Sequence, residues 1–166
     1  MGGPSIIEAY KLTPNPIKAL VLVDILGNVE QKYTQETINN IVSFLMDLVT
    51  NPTVEKFKPL WNTKKLELSE RYISLTKNYI KTNWSESLRD LYRWRNEDCI
   101  ESIKNIHVPI MSINSDQGQT EIDAFRKYNP TFKAKIIPGV QHYVFWENPV
   151  EFNRLLEECI QEVISD

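Results

Sequence analysis

Cysteine is scarce: Cys99 and Cys159 are the only two in 166 residues. Two thiols so far apart build neither a disulfide framework nor the clustered ligands of a zinc site. Cys159 also falls on the apolar stripe of a helix, where a buried structural thiol is the default. Basic charge is short as well. A formal net charge of −3 leaves no cationic stripe for a phosphate backbone, so nucleic acid is not expected as a partner. No apolar run reaches the length of a membrane span, and the N-terminus lacks the basic-then-apolar pattern of a signal peptide. Neither membrane nor secretion is expected, and a reducing cytoplasm is the simplest home. Internal repeats and low-complexity tracts are missing too. What remains is an ordinary globular balance, 25% charged and 42% hydrophobic, in a chain long enough for one core with a subdomain inserted in it.

Three segments read as strands. Ile17–Asp24 (IKALVLVD) is almost continuously apolar, the mark of a strand buried on both faces of a mainly parallel sheet. Val108–Ile113 has the same character, and Asn114-Ser115-Asp116 follows its carboxyl end. Phe132–Ile137 is the third. A short apolar helix from Ser5 to Leu12 precedes the first strand and ends at the Thr13–Pro16 turn, where two prolines withhold amide donors. From residue 103 onward the order is strand, helix, strand, helix, which predicts an open α/β sheet.

Residues 25–102 have a different texture. Ile38, Ile41, Val42, Leu45, Leu48 and Val49 predict a helix over 34–50. Tyr72, Leu75, Tyr79 and Ile80 predict a second over 69–83, and Ser85 is placed to cap a third carrying Leu88, Leu91 and Tyr92. Pro52 and Pro59 break the stretch between the first two. No strand pattern interrupts these helices, so they form one helical excursion between two sheet strands. Its aromatic residues (Tyr33, Phe44, Phe57, Trp61, Tyr72, Tyr79, Trp84, Tyr92 and Trp94) either line an apolar pocket or make the excursion's own small core.

The stretch Gly139–Pro149 (GVQHYVFWENP) puts His142 in a turn between the third strand and a strongly signalled helix. Asn148 can cap that helix, Pro149 suits its first position, and Glu151 completes a capping box. Phe152, Leu155, Leu156, Cys159, Ile160, Val163 and Ile164 then recur at helical spacing. A histidine so anchored suits a general base, although the local pattern alone fits a turn histidine without chemistry better. Asp116 and His142 both follow the carboxyl ends of successive strands, and an aspartate there can fix the tautomer of the histidine. Asp116 is alternatively a turn-former. Asp24 is the second candidate acid, since it also ends a buried strand; it can equally cap the entry to the helices.

These three strand regions, with helices between the first two, resemble the last three strand regions and the cap of the α/β-hydrolase fold. Met1-Gly2-Gly3 resembles the tail of that family's nucleophile elbow, Gly-x-Ser-x-Gly-Gly. The resemblance implies a hydrolase core over 1–24 and 103–166 and a helical cap over 25–102. It implies His142 as base, Asp116 as acid, the Met1 amide as an oxyanion donor, and no metal or cofactor. Gln141 departs from the glycine usual before the histidine, and Gly118 stands where many members carry the acid. The nucleophile would immediately precede Met1, so the chain is expected to be inactive alone. Ser5 in the first helix points away from the site, Ser112 lies inside a strand, Ser115 has no route to His142 through the sheet, and Cys99 has no basic partner nearby in sequence, so none is a good substitute. The first strand would present an unpaired apolar edge, to be covered by a missing N-terminal half or by self-association. The implied activity is hydrolysis of an ester or related small acyl substrate; the alternative is a non-catalytic ligand- or partner-binding module.

Overall fold

Leu20–Val23 (β1) alternates its side chains between two cores, and that alternation explains the architecture. The structure, a computed structural model, describes residues 2–13, 15, 17–25, 27–57, 66–76, 81–117 and 121–165. Leu20 and Leu22 point into one core; Val21 and Val23 pack against the other. Ile110–Ser115 (β2) is buried at every position, as its unbroken apolar run requires. Ile110 joins the first core, whereas Met111 and Ile113 join the second. Lys133–Ile137 (β3) completes a parallel sheet of order β1-β2-β3. Ile110, Ile113 and Ile137 are fully buried, each contributing about 1.5–3 kcal/mol.

Helices cover both faces. Gly2–Leu12 (α1) sends Ile7 and Tyr10 into the first core, joined there by Cys99 and Ile103 of a later helix. Gly2, Gly3 and Pro4 are part of α1 rather than a lead-in to it. Gly3 lies so close to Ile25, just beyond β1, that a Cβ would stand 1.5 Å from its Cδ1 and 2.9 Å from its Cγ1, so a larger residue requires the Ile25 side chain to move.

Between β1 and β2 the described residues form five helices: Gln35–Thr50 (α2), Val54–Phe57 (α3), Leu66–Thr76 (α4), Lys81–Glu97 (α5) and Cys99–Lys104 (α6). Thr34 caps α2 by accepting the Thr37 amide. α2 packs on α5 around a third, smaller core of Ile38, Val42 and Leu88. Ser85 lies inside α5, which already includes Lys81, so the cap expected of it is not made. Trp61, Tyr79, Ile80, Pro59 and Gly118 lie outside the described residues, as do Pro14 and Pro16 of the first turn.

After β2 come Ile122–Arg126 (α7), β3, Val144–Glu147 (α8) and Pro149–Ser165 (α9). Asn148 caps α9 as expected, its Oδ1 accepting the Glu151 amide at 3.2 Å. The reciprocal half of the capping box is replaced: Glu151 binds Arg154, and the Asn148 amide donates to Val144 O. Leu155 and Cys159 of α9 are buried on the sheet, whereas Ile160 and Ile164 are exposed. These two overhang the flank of β1 and line a hollow of about 700 Å³ with Ile17, Ala19 and Val21. No helix among the described residues is long and apolar enough to cross a membrane.

Candidate active site

The register Val23↔Ile113 sets the residue after β1 beside the carboxyl end of β2. Asp24 donates its amide to Ile113 O, then turns with φ 43°, a left-handed conformation rare for a residue with a Cβ. The turn points its carboxylate inward, where the side chain keeps 6% of its exposure. Oδ1 accepts the Ser115 amide at 2.8 Å and the Ser115 hydroxyl at 2.9 Å. Oδ2 lies 2.9 Å from His142 Nδ1. With a carboxylate as partner, Nδ1 is the donor and Nε2 is left as the free ring nitrogen. Strained backbone held by buried hydrogen bonds is a frequent property of functional sites.

Asp116 does not make the bond to His142 that its position suggested. It is exposed, its Oδ2 accepting the Gly139 amide at 3.0 Å and its Oδ1 the Gln117 side-chain amide. Gly139, at φ 74°, begins the loop that carries the histidine. Asp116 therefore holds the near end of that loop while Asp24 meets the imidazole at its far end. Glu147, buried in α8, accepts the Gln141 amide at 2.7 Å and fixes the loop from below. Glycine is thus not needed before the histidine. Aromatic contacts add a clamp, since Tyr143 stacks on Trp146 at 5.5 Å and Tyr72 of α4 meets Tyr143 edge-on at 5.3 Å.

His142 and Asp24 open onto a cavity of about 590 Å³. Its walls are mostly apolar: Leu45, Leu48 and Val49 of α2, Phe57 of α3, Leu88 and Leu91 of α5, with Pro4 of α1 and Ile25 near the pair. Tyr72, Trp84, Tyr92 and Tyr143 add aromatic rings, and Arg95 a cation. The aromatic residues of the helical segment thus divide between the two uses open to them. Tyr33 and Tyr92 meet edge-on at 4.9 Å beside the third core, Trp94 is buried with its indole N–H on Glu8, and Phe44 is exposed. This is the described hollow that joins an acid–imidazole pair to an apolar wall. Another, of about 660 Å³, is bordered by the ion-paired Lys133, Lys135 and α9 acids.

The other sequence candidates are placed as follows. Ser112 is buried in β2 with its Oγ accepting from Asn114, and Ser115 serves Asp24. Ser5 is exposed. Burial pushes the Cys99 thiol up to about 11, far from a thiolate nucleophile. Met1 lies outside the described residues. Among the described residues no group of three or more His, Cys, Asp or Glu side chains could hold a metal ion. Sequence reasoning missed Ser115 as a ligand of Asp24, Glu147 as the loop anchor, and Arg95. A buried polar residue on an otherwise apolar element was the available signal for the first two.

No protein-family model matches the sequence, and no curated protein matches it. Solved structures do. An esterase from Thermogutta terrifontis superposes with a TM-score of 0.75 at 14% identity, over 98% of this chain and 62% of that one. A bromoperoxidase from Bacillus anthracis gives 0.71 at 14%, over 100% and 65%. A carboxylesterase structure from Nitrososphaera gargenis gives 0.69 at 12%, over 99% and 63%. The chain spans less than two thirds of each. At these identities the likeness is one of fold: the chain carries a C-terminal part of the α/β-hydrolase fold.

Proposed function

We propose that the complete protein is a serine-type hydrolase of an ester or related acyl substrate, with His142 as base and Asp24 as the carboxylate that orients it. The observation that carries this reading is the 2.9 Å bond between His142 Nδ1 and Asp24 Oδ2 at the edge of an apolar cavity of about 590 Å³. Asp24 holds the imidazole in the tautomer whose Nε2 can take a proton from a serine hydroxyl. The serine oxygen then attacks the acyl carbon, and the returning proton leaves with the alcohol. Water, activated by the same nitrogen, releases the acid and restores the serine. This chemistry calls for no metal or cofactor. In this reading Asp116 positions the histidine loop through Gly139 rather than acting on the imidazole.

In this reading the nucleophile is the residue immediately before Met1, and the Met1 amide is the expected oxyanion donor. Residues 25–102 act as a cap, supported by the cavity walls that α2, α3 and α5 supply. The flank of β1, with exposed Ile160 and Ile164 beside it, suits strands from the N-terminal half of the fold, or otherwise a second copy.

The test is labelling by a fluorophosphonate and hydrolysis of p-nitrophenyl acyl esters by the chain joined to the segment encoded before it. Both are expected, and His142→Ala should lower turnover at least about 10³-fold with the fold retained. Labelling of residues 1–166 alone, or turnover that survives His142→Ala, overturns the assignment. A reading frame closed just before Met1, with a stable folded product, favours ligand binding without turnover.

A further inference from the structure

Arg95 lines the cavity that holds Asp24 and His142, and its guanidinium is underused. One Nη2 hydrogen bond, at 2.9 Å, goes to the Asn28 carbonyl, and the planar group lies 5.3 Å from the centre of the Tyr33 ring. Nε is buried and has no hydrogen-bond partner, and no further hydrogen bond or ion pair to the group occurs among the described residues. A guanidinium has five N–H donors, so most of them meet no partner among the described residues. The acid lining the same cavity, Asp24, is already occupied by Ser115 and His142. Arg95 is half-buried, and a guanidinium with unpaired donors at the wall of a largely apolar chamber is well placed to take an anionic group. Two contacts hold Arg95 at that wall: its bond to Asn28 and the ring of Tyr33 beneath it.

We infer that Arg95 is a carboxylate-binding subsite, so that the substrate is an acyl ester bearing a carboxylate at the end remote from the scissile bond. A planar fork of N–H donors matches a carboxylate in two parallel hydrogen bonds, which a neutral ester end cannot reproduce. A chamber of about 590 Å³ holds a short aliphatic diacid monoester with its chain against Leu48, Leu88 and Leu91. This deepens the hydrolase reading by naming its substrate class, but it concerns binding and is tested without turnover.

The test is an NMR titration of the chain with monomethyl succinate, glutarate, adipate and pimelate, each beside its dimethyl ester. At least one monoester is expected to bind about tenfold or more tightly than its dimethyl partner, with shifts at residues lining the cavity. Arg95→Gln should remove that preference, bringing monoester affinity down to that of the dimethyl partner. Arg95→Lys, which keeps the charge without the fork, should restore only part of it. Equal affinity for mono- and dimethyl esters across the wild-type series overturns the subsite, even if Arg95→Gln fails to fold. So does a preference that survives Arg95→Gln. Carboxylate-selective binding in a protein whose full-length form hydrolyses no ester sinks the hydrolase reading instead and leaves the subsite standing.

Discussion

Asp24 and Asp116 follow neighbouring parallel strands, and both end an apolar run, yet their surroundings have little in common. Asp24 is nearly buried, its backbone is left-handed, and its two oxygens take three hydrogen bonds, one of them with the imidazole. Asp116 is exposed and braces a glycine turn. The difference comes from where each strand delivers its chain. β1 is followed by a turn back over the sheet edge toward Ser115. β2 passes its acid to the side on which β3 ends, because the pairing Ser115↔Ile137 sets Asp116 against the start of the next loop. Two similar strand ends thus supply a candidate catalytic partner and a loop brace.

Substitutions at the two ends should separate them most widely. In the full-length protein, Asp24→Asn is expected to lower turnover of an acyl ester by about 10⁴-fold, since the imidazole loses its orienting carboxylate. Asp116→Asn should lower it less than about tenfold. Steady-state kinetics on both variants decide the matter; equal losses would erase the distinction. A smaller effect is expected in stability on the Asp24 side. Gly3→Ala drives a methyl group into Ile25, the residue after Asp24, and should cost about 1–3 kcal/mol in urea denaturation. On the Asp116 side, Gly139→Ala meets no atom within 4 Å but must hold φ 74°, so its cost should be about 1 kcal/mol. If Gly139→Ala proved the more damaging, the view that β1's end is the more tightly built would fail.

The smallest effect concerns a carboxylate far from both ends. Hydrogen bonds from Lys133 and Lys135 of β3 hold Glu162 down to about 2. A carboxylate depressed in the folded state adds stability above its unfolded range, and that stability disappears as pH falls from about 4.3 toward 2. Denaturation at pH 5 and pH 2.5 should therefore show a modest loss that Glu162→Gln reduces, because the side chain is partly exposed and screened. An unchanged pH dependence in that variant would mean these pairs add nothing to the fold.

Much of the fold was legible because period and burial agree in this chain. Apolar runs at Ile17–Asp24 and Val108–Ile113 announced strands covered on both faces, and the α9 stripe from Phe152 to Val163 announced the helix beneath one face. Asn148 was readable as a cap since its signal is local. Ile160 and Ile164 share the helical spacing yet stand exposed, because spacing does not say how far a helix overhangs its sheet. Ser85 misled for a similar reason: a good capping residue inside a longer helix looks the same in sequence.

By itself the sequence determined which segments alternate between strand and helix, and that His142 and two aspartates follow strand ends, since period and turn chemistry are local properties. It left open which aspartate meets the histidine. Only the tertiary structure decided that. The choice depends on strand register and on a left-handed turn at Asp24, and the contacts that hold both join residues about a hundred positions apart.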